Sequence, residues 1–250
     1  RLQFIIAIVI GMLVLPRGAE AQSHLEPACS LAAGDETSYE ATLAALFRKG
    51  YQRTTPLKRT EESVEVILRM AVSHTGPLVS SGEPCITCEA MTGIRVIGFG
   101  GQYEAFRLQA DTTVWNTEAR GPEAVQTIAV HEASAPIDSS LAKRIHQAWQ
   151  DLLLCPRYPT SGEIHIGAAA RFHFSMFVIG IGRIAGGVWL PEDETNADDL
   201  ATLGRELGAY AKASTQPDRD EAAQELERTL ARLERRLDEQ GRCPAARARR

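Results

Sequence analysis

Residues 170–191 read "ARFHFSMFVIGIGRIAGGVWLP". Phe172, Phe174, Met176 and Val178 recur at every second position, with Arg171, His173 and Ser175 between them. A period of two belongs to a strand with one buried face, because successive side chains leave the backbone on opposite sides. A second strand-like run follows over 183–191 and stops at Pro191, which has no N–H to give a ladder. Only a short glycine-containing turn separates the two runs, so they pair antiparallel. The acidic loop "EDETNADD" then leads into a different period: Leu200, Leu203, Leu207 and Tyr210 share one side of a helix over 197–212. Gly204 and Gly208 stand four apart in that helix, each at a propensity cost of about 1 kcal/mol. Their spacing predicts a helix backbone pressed closely onto a sheet.

The same order occurs upstream. In "GIRVIGFGGQYEAFRLQA" (93–110) two strand-like runs flank Gly100–Gly101, the signature of a two-residue hairpin turn. Alternation continues over 112–118, residues 123–134 read as another strand, and 162–167 as a short one. Between them, residues 139–154 place Leu141, Ile145, Trp149 and Leu152 on one helical face, with Asp138 or Ser139 as the cap. Strands, helix, strands, helix suggest a duplicated β-β-(β)-α unit. The expected fold is α+β: a mostly antiparallel sheet with helices packed on one face, N-terminal helices and a C-terminal amphipathic helix.

The N-terminal helices are expected over 39–49, with Leu43, Leu46 and Phe47 aligned, and over 61–73, with Val64, Ile67, Leu68 and Ala71 at helical spacing behind a Thr60 cap, although the Val-Ile content of 61–73 leaves a strand open. The Gly/Pro/Ser-rich stretch 74–84 reads as the boundary between an N-terminal segment (22–81) and the main domain (82–213). Toward the other end, a linker opens the segment 214–240, in which Leu226, Leu230, Leu233 and Leu237 are spaced four, three, four. That is a heptad seam, which docks either on its own domain or on another chain. It makes this helix the candidate partner-facing element. The tail, 241–250, is basic.

Residues 1–21 carry a basic residue, an apolar run from Phe4 to Leu15, Pro16, and then Ala19-Glu20-Ala21, which fits a signal peptidase site. The run is shorter than the roughly 20 residues of a comfortable membrane span. It predicts export with cleavage after Ala21, a periplasmic or secreted location, and no membrane segment in the mature chain. A net charge of −5 argues against nucleic acid as a partner, which would need a clustered positive field.

The cysteines are Cys29, Cys85, Cys88, Cys155 and Cys243. An exported location favours disulfides, and an odd count leaves at least one thiol over. Cys85 and Cys88, in "GEPCITCE" (82–89), form a C-x-x-C. A redox pair would want a helix after the second cysteine, whose dipole lowers the thiol pKa; the following "EAMTGIRVIG" reads as strand instead. Glu89 fills the position a c-type haem would give to His. A zinc site would want a second matched pair. All five cysteines are therefore read as structural disulfide candidates.

No catalytic, cofactor-binding or metal-ligating constellation is read in the sequence: there is no G-x-S-x-G, Walker A or H-E-x-x-H. The "IGIGRIAGG" glycines (179–187) run into a strand, so they lack the helix N-terminus of a phosphate loop. The acids of 192–199 do not match the EF-hand spacing and belong at a helix start. If the turn at 168–170 is tight, His165 and His173 share the solvent-side face of two strands with Arg171 and Ser175, a speculative polar surface site that Glu132 and Glu163 could join. The functional expectation is an exported, disulfide-stabilised binding or assembly module of the bacterial cell envelope. The alternative is a periplasmic thiol–disulfide protein working through Cys85 and Cys88.

Overall fold

A computed structural model describes residues 25–27, 46–47, 66–75, 89–97, 102–113, 127–155, 169–178, 181–189 and 191–240. Seven strands form one sheet: β1 (Glu26–Pro27), β2 (Val66–Thr75), β3 (Ala90–Ile97), β4 (Gln102–Ala110), β5 (Val130–Ile137), β6 (Ala169–Val178) and β7 (Gly182–Trp189). Among the described residues, α1 (Ser139–Leu153) follows β5, and α2 (Asn196–Lys212) and α3 (Gln216–Gln240) follow β7 in succession. The sheet order is β1-β7-β6-β2-β3-β4-β5, and every pairing is antiparallel. The chain is thus α+β.

β2 through β5 form a meander. α1 then carries the chain back across the sheet, so that β6 pairs with the other side of β2. The periodicity of β6 is as expected: Phe172, Phe174, Met176 and Val178 are all buried on one face. Register extends that face across the sheet, since Phe174 stands opposite Met70, Met70 opposite Thr92, and Thr92 opposite Arg107.

Both sheet-contacting helices lie on that face. Trp149 of α1 meets Phe174 edge-on, with ring centroids 5.5 Å apart. α2 crosses β2 to β5, and its two glycines make the approach feasible. A Cβ on Gly204 would fall 2.4 Å from Met70 Sδ; on Gly208 it would fall 2.7 Å from Thr92 Cγ2 and 2.8 Å from Arg107 Nη1. Thr92 Oγ1 donates to the Gly204 carbonyl at 2.8 Å, a buried bond from sheet to helix. α1 lies most on β6, the strand that follows it, and also meets β2, β4 and β7, whereas α2 lies most on β3, β4 and β5, far from it in sequence.

The caps are local. Asp138 starts α1, its carboxylate accepting from the Ser140 and Leu141 amides at 2.8 and 3.1 Å. Thr195 starts α2 by accepting from the Asp198 amide at 3.2 Å, with Asp198 and Asp199 in the first turn and Lys212 in the last. That distribution suits the helix dipole. At the sheet edge, Tyr210 Oη donates to the Pro136 carbonyl of β5 at 2.7 Å.

Several expectations are corrected. Residues 66–75 are not helical: β2 is a strand, and it is the centre of the sheet, flanked by β6 and β3. Val64, Ile67, Leu68 and Ala71 fit helical spacing, but Leu68, Met70 and Val72 also recur at the strand period of two. β2, from the segment 22–81, thus lies in one sheet with the strands of 82–213, and Leu25 belongs to the same core. The fifth strand begins at Val130, not 123, and residues 127–129 are turn and coil. The β3–β4 hairpin pairs Ile97 with Gln102, whereas a two-residue turn at Gly100–Gly101 would set Phe99 opposite Gln102. Residues 112–113 form a bend and coil after β4. Leu46 and Phe47 are helical and buried. Outside the described residues lie the rest of that N-terminal helix, the 162–167 strand, the N-terminal 1–21 segment and the 241–250 tail.

Candidate functional site

The residues singled out on β6 do share a face, the one turned away from the helices, but that face is not open to water. His173 and Ser175 are each only 6% exposed. Met91, Phe106 and Leu108, on the same face of β3 and β4, are buried too. Burial, and then the neighbouring Arg171 charge, hold the His173 imidazolium down to a pKa of about 3. This histidine is neutral across physiological pH and cannot serve there as a cation or a titrating switch. Arg171 lies over the ring of Trp189, its cross-strand partner, at 5.0 Å from the centroid. His165 and Glu163 lie outside the described residues. The expected polar surface site is therefore a covered layer.

Glu132 does not join the histidines. It meets Arg95 of β3, whose Nη2 stands 2.7 Å from Glu132 Oε1 and 2.6 Å from Glu104 Oε2. Ser134 donates to the other Glu104 oxygen at 2.9 Å, and the guanidinium rests over Phe106 at 5.5 Å. Burial alone would lower the Arg95 pKa; the two carboxylates outweigh it and raise it. The cluster joins three adjacent strands and holds β5 to the sheet. Arg95 and Glu104 are directly opposite in the hairpin, so their opposite charges were a usable register signal that the Gly-Gly pair obscured.

Of the two readings of the α3 leucine seam, docking on its own domain is the one the structure displays. Leu226, Leu230 and Leu233 are 0% exposed and Leu237 is 6% exposed. They are part of the continuous core with α1 and α2, so in this state they face the chain's own helices and not a partner. Charges fasten the same helix. Asp199, itself buried, receives Arg232 at 2.5 Å and Arg236 at 3.1 Å. Arg144 of α1 reaches Glu227 at 2.7 Å and Glu234 at 2.8 Å, and these carboxylates raise its pKa. A groove of about 530 Å³ opens between the start of α1 and α3, lined by Asp138, Leu141, Ala223, Gln224, Glu227 and Arg228.

One cation differs from the rest. Arg107, on the helix side of β4, is half-buried under Gly208. Its Nε and Nη2 donate to Gln109 Oε1 at 3.3 and 3.1 Å. No carboxylate meets it among the described residues, and burial lowers its pKa. Sequence reading missed it because only the α2 crossing places the glycine above it.

Cys155, just past α1, is disulfide-bonded; Cys29, Cys85, Cys88 and Cys243 all lie outside the described residues. Among the described residues no three His, Cys, Asp or Glu side chains are grouped to hold a metal ion, and no helix is long and apolar enough to cross a membrane. No family model, curated protein or solved structure matches the chain.

Proposed function

We propose that the chain is an exported, disulfide-stabilised binding or assembly module of the bacterial cell envelope. The observation that supports this best is how its charges are used. Arg95 with Glu104 and Glu132, Arg144 with Glu227 and Glu234, and Asp199 with Arg232 and Arg236 each tie separate elements together. Ionisable groups that brace a scaffold suit a protein that presents a surface. The disulfide at Cys155 and the apolar run before Ala21 support an oxidising, exported setting. With the leucine seam buried, the partner is met through another surface.

The test is to express the full chain in a bacterial host, trap thiols, recover the protein from the periplasm and map its N-terminus and disulfides. The reading expects an N-terminus at Gln22 and Cys85 and Cys88 bridged to the other cysteines. An uncleaved cytoplasmic product overturns export. A Cys85–Cys88 bridge that is easily reduced overturns the module reading in favour of thiol–disulfide chemistry. Photo-crosslinking in the same periplasm then tests binding directly: recovery of the chain without any adduct argues against it.

A further inference from the structure

Arg107 stands in an unusual position for a half-buried guanidinium. Arg95, Arg144 and Arg232 each have carboxylates that raise their pKa, whereas Arg107 has only the Gln109 amide among the described residues. Gln109 Oε1 takes the Nε and Nη2 edge, so Nη1 finds no acceptor among the described residues. Gly208 makes room for the guanidinium itself, since a Cβ there would stand 2.8 Å from Nη1. A guanidinium presents its donors as a planar fork, which matches the paired oxygens of a carboxylate or phosphate. A half-desolvated cation also gains more from such a counter-ion than one fully in water.

The surroundings fit an anion. Lys212 lies one helical turn beyond Gly208 on α2, hence on the same helix face. His131 of β5 stands opposite Gln109 in register. Ala133, opposite Arg107, is small. Glu104, three residues before Arg107, lies on the opposite face with Arg95, and Asp111 is exposed beyond the end of β4.

We propose that Arg107, Gln109 and Lys212 frame a subsite for an oxyanion, carboxylate or phosphate, carried by the ligand of this module. The proposal rests on the binding-module reading and names the chemistry of what is bound.

The experiment titrates the ¹⁵N-labelled full chain with inorganic phosphate and with acetate, against chloride at equal ionic strength. Phosphate or acetate is expected to move the Arg107 side-chain Nε–H and Gly208 amide resonances saturably, while chloride does not. Arg107→Met is expected to weaken the apparent affinity by about ten-fold or more, and Lys212→Gln by a smaller factor. Tighter binding of phosphate points to a phosphate-bearing ligand; tighter binding of acetate points to a carboxylate. The proposal is overturned if neither anion gives saturable shifts in the wild type, or if Arg107→Met keeps the response. Should Arg107→Met not fold, the wild-type titration and Lys212→Gln decide. A negative result here leaves the crosslinking outcome untouched, so the two readings fail separately.

Discussion

Replacing Leu230 by Ala tests whether α3 is part of the fold. Leu230 is 0% exposed and sits in the core shared with α1 and α2. Truncating a fully buried Leu to Ala costs about 2–5 kcal/mol, from lost transfer energy plus the cavity left behind. A central value of about 3 kcal/mol corresponds to a drop of roughly 6–12 °C in Tm for a domain of this size. The ion pairs cannot mask such a loss, because Arg144 is 41% exposed and pairs of that kind contribute at most about 1 kcal/mol each. The matched control is Arg228→Ala, 66% exposed, expected within about 0.5 kcal/mol of wild type. Removing α3 whole forfeits four buried leucines, an upper estimate of about 6–12 kcal/mol. That is comparable with the entire stability of an ordinary domain, about 5–15 kcal/mol. Urea denaturation followed by circular dichroism reads all three variants. If Leu230→Ala loses under about 1 kcal/mol, or the truncated chain melts like the intact one, the helix is not docked and its leucines are free for another chain.

Gly208→Ala gains about 1 kcal/mol of helix propensity. It must still destabilise, because its Cβ would meet Thr92 and Arg107 below 3 Å; thermal melts showing a higher Tm would refute the close approach. Asp199→Asn leaves Arg232 and Arg236 without their anion beside a buried amide and is expected to cost about 2 kcal/mol, measured by the shift in denaturation midpoint; an unchanged midpoint would mean the pairs contribute nothing. Glu206 carries a desolvated carboxylate: burial raises its pKa despite the Thr229 hydroxyl it accepts from at 2.9 Å, and Glu225 raises it further. The folded state thus favours the protonated form, so the stability linked to this group is full below the unfolded value of 4.5 and is lost as pH rises through the higher folded value. Glu206→Gln keeps the acceptor and removes the charge, so it should stabilise at pH 7 and have no effect at pH 4. Equal gains at both values would exclude the electrostatic cause.

The elements with one clear period were legible. Leu141, Ile145 and Trp149 gave α1, the β6 alternation gave its buried face, and Gly204 with Gly208 announced a close crossing. β2 was ambiguous, because its Val, Ile, Leu and Met fit either period, and only its pairing with β3 and β6 decides for a strand. The direction of His173 followed from alternation, but its burial did not, since what covers a face comes from distant parts of the chain. The leucine seam fixed a helix and a stripe; whether a stripe meets its own domain or another molecule is a tertiary fact. Arg95 and Arg107 look alike in the sequence. Only cross-strand register gives one of them two carboxylates, and only the position of α2 leaves the other with an amide.

Among the described residues β5 is one of the sheet's two edge strands, with β1 at the other side, and such an edge is where chains stick to one another. Pro136 has no N–H to offer an incoming strand, and its carbonyl already accepts from Tyr210. At that position neither backbone group is left to recruit a neighbour. The edge is blunted by the last turn of α2, the helix that crosses the sheet, so Tyr210→Phe should show first as a tendency to aggregate at high concentration, before any change in melting.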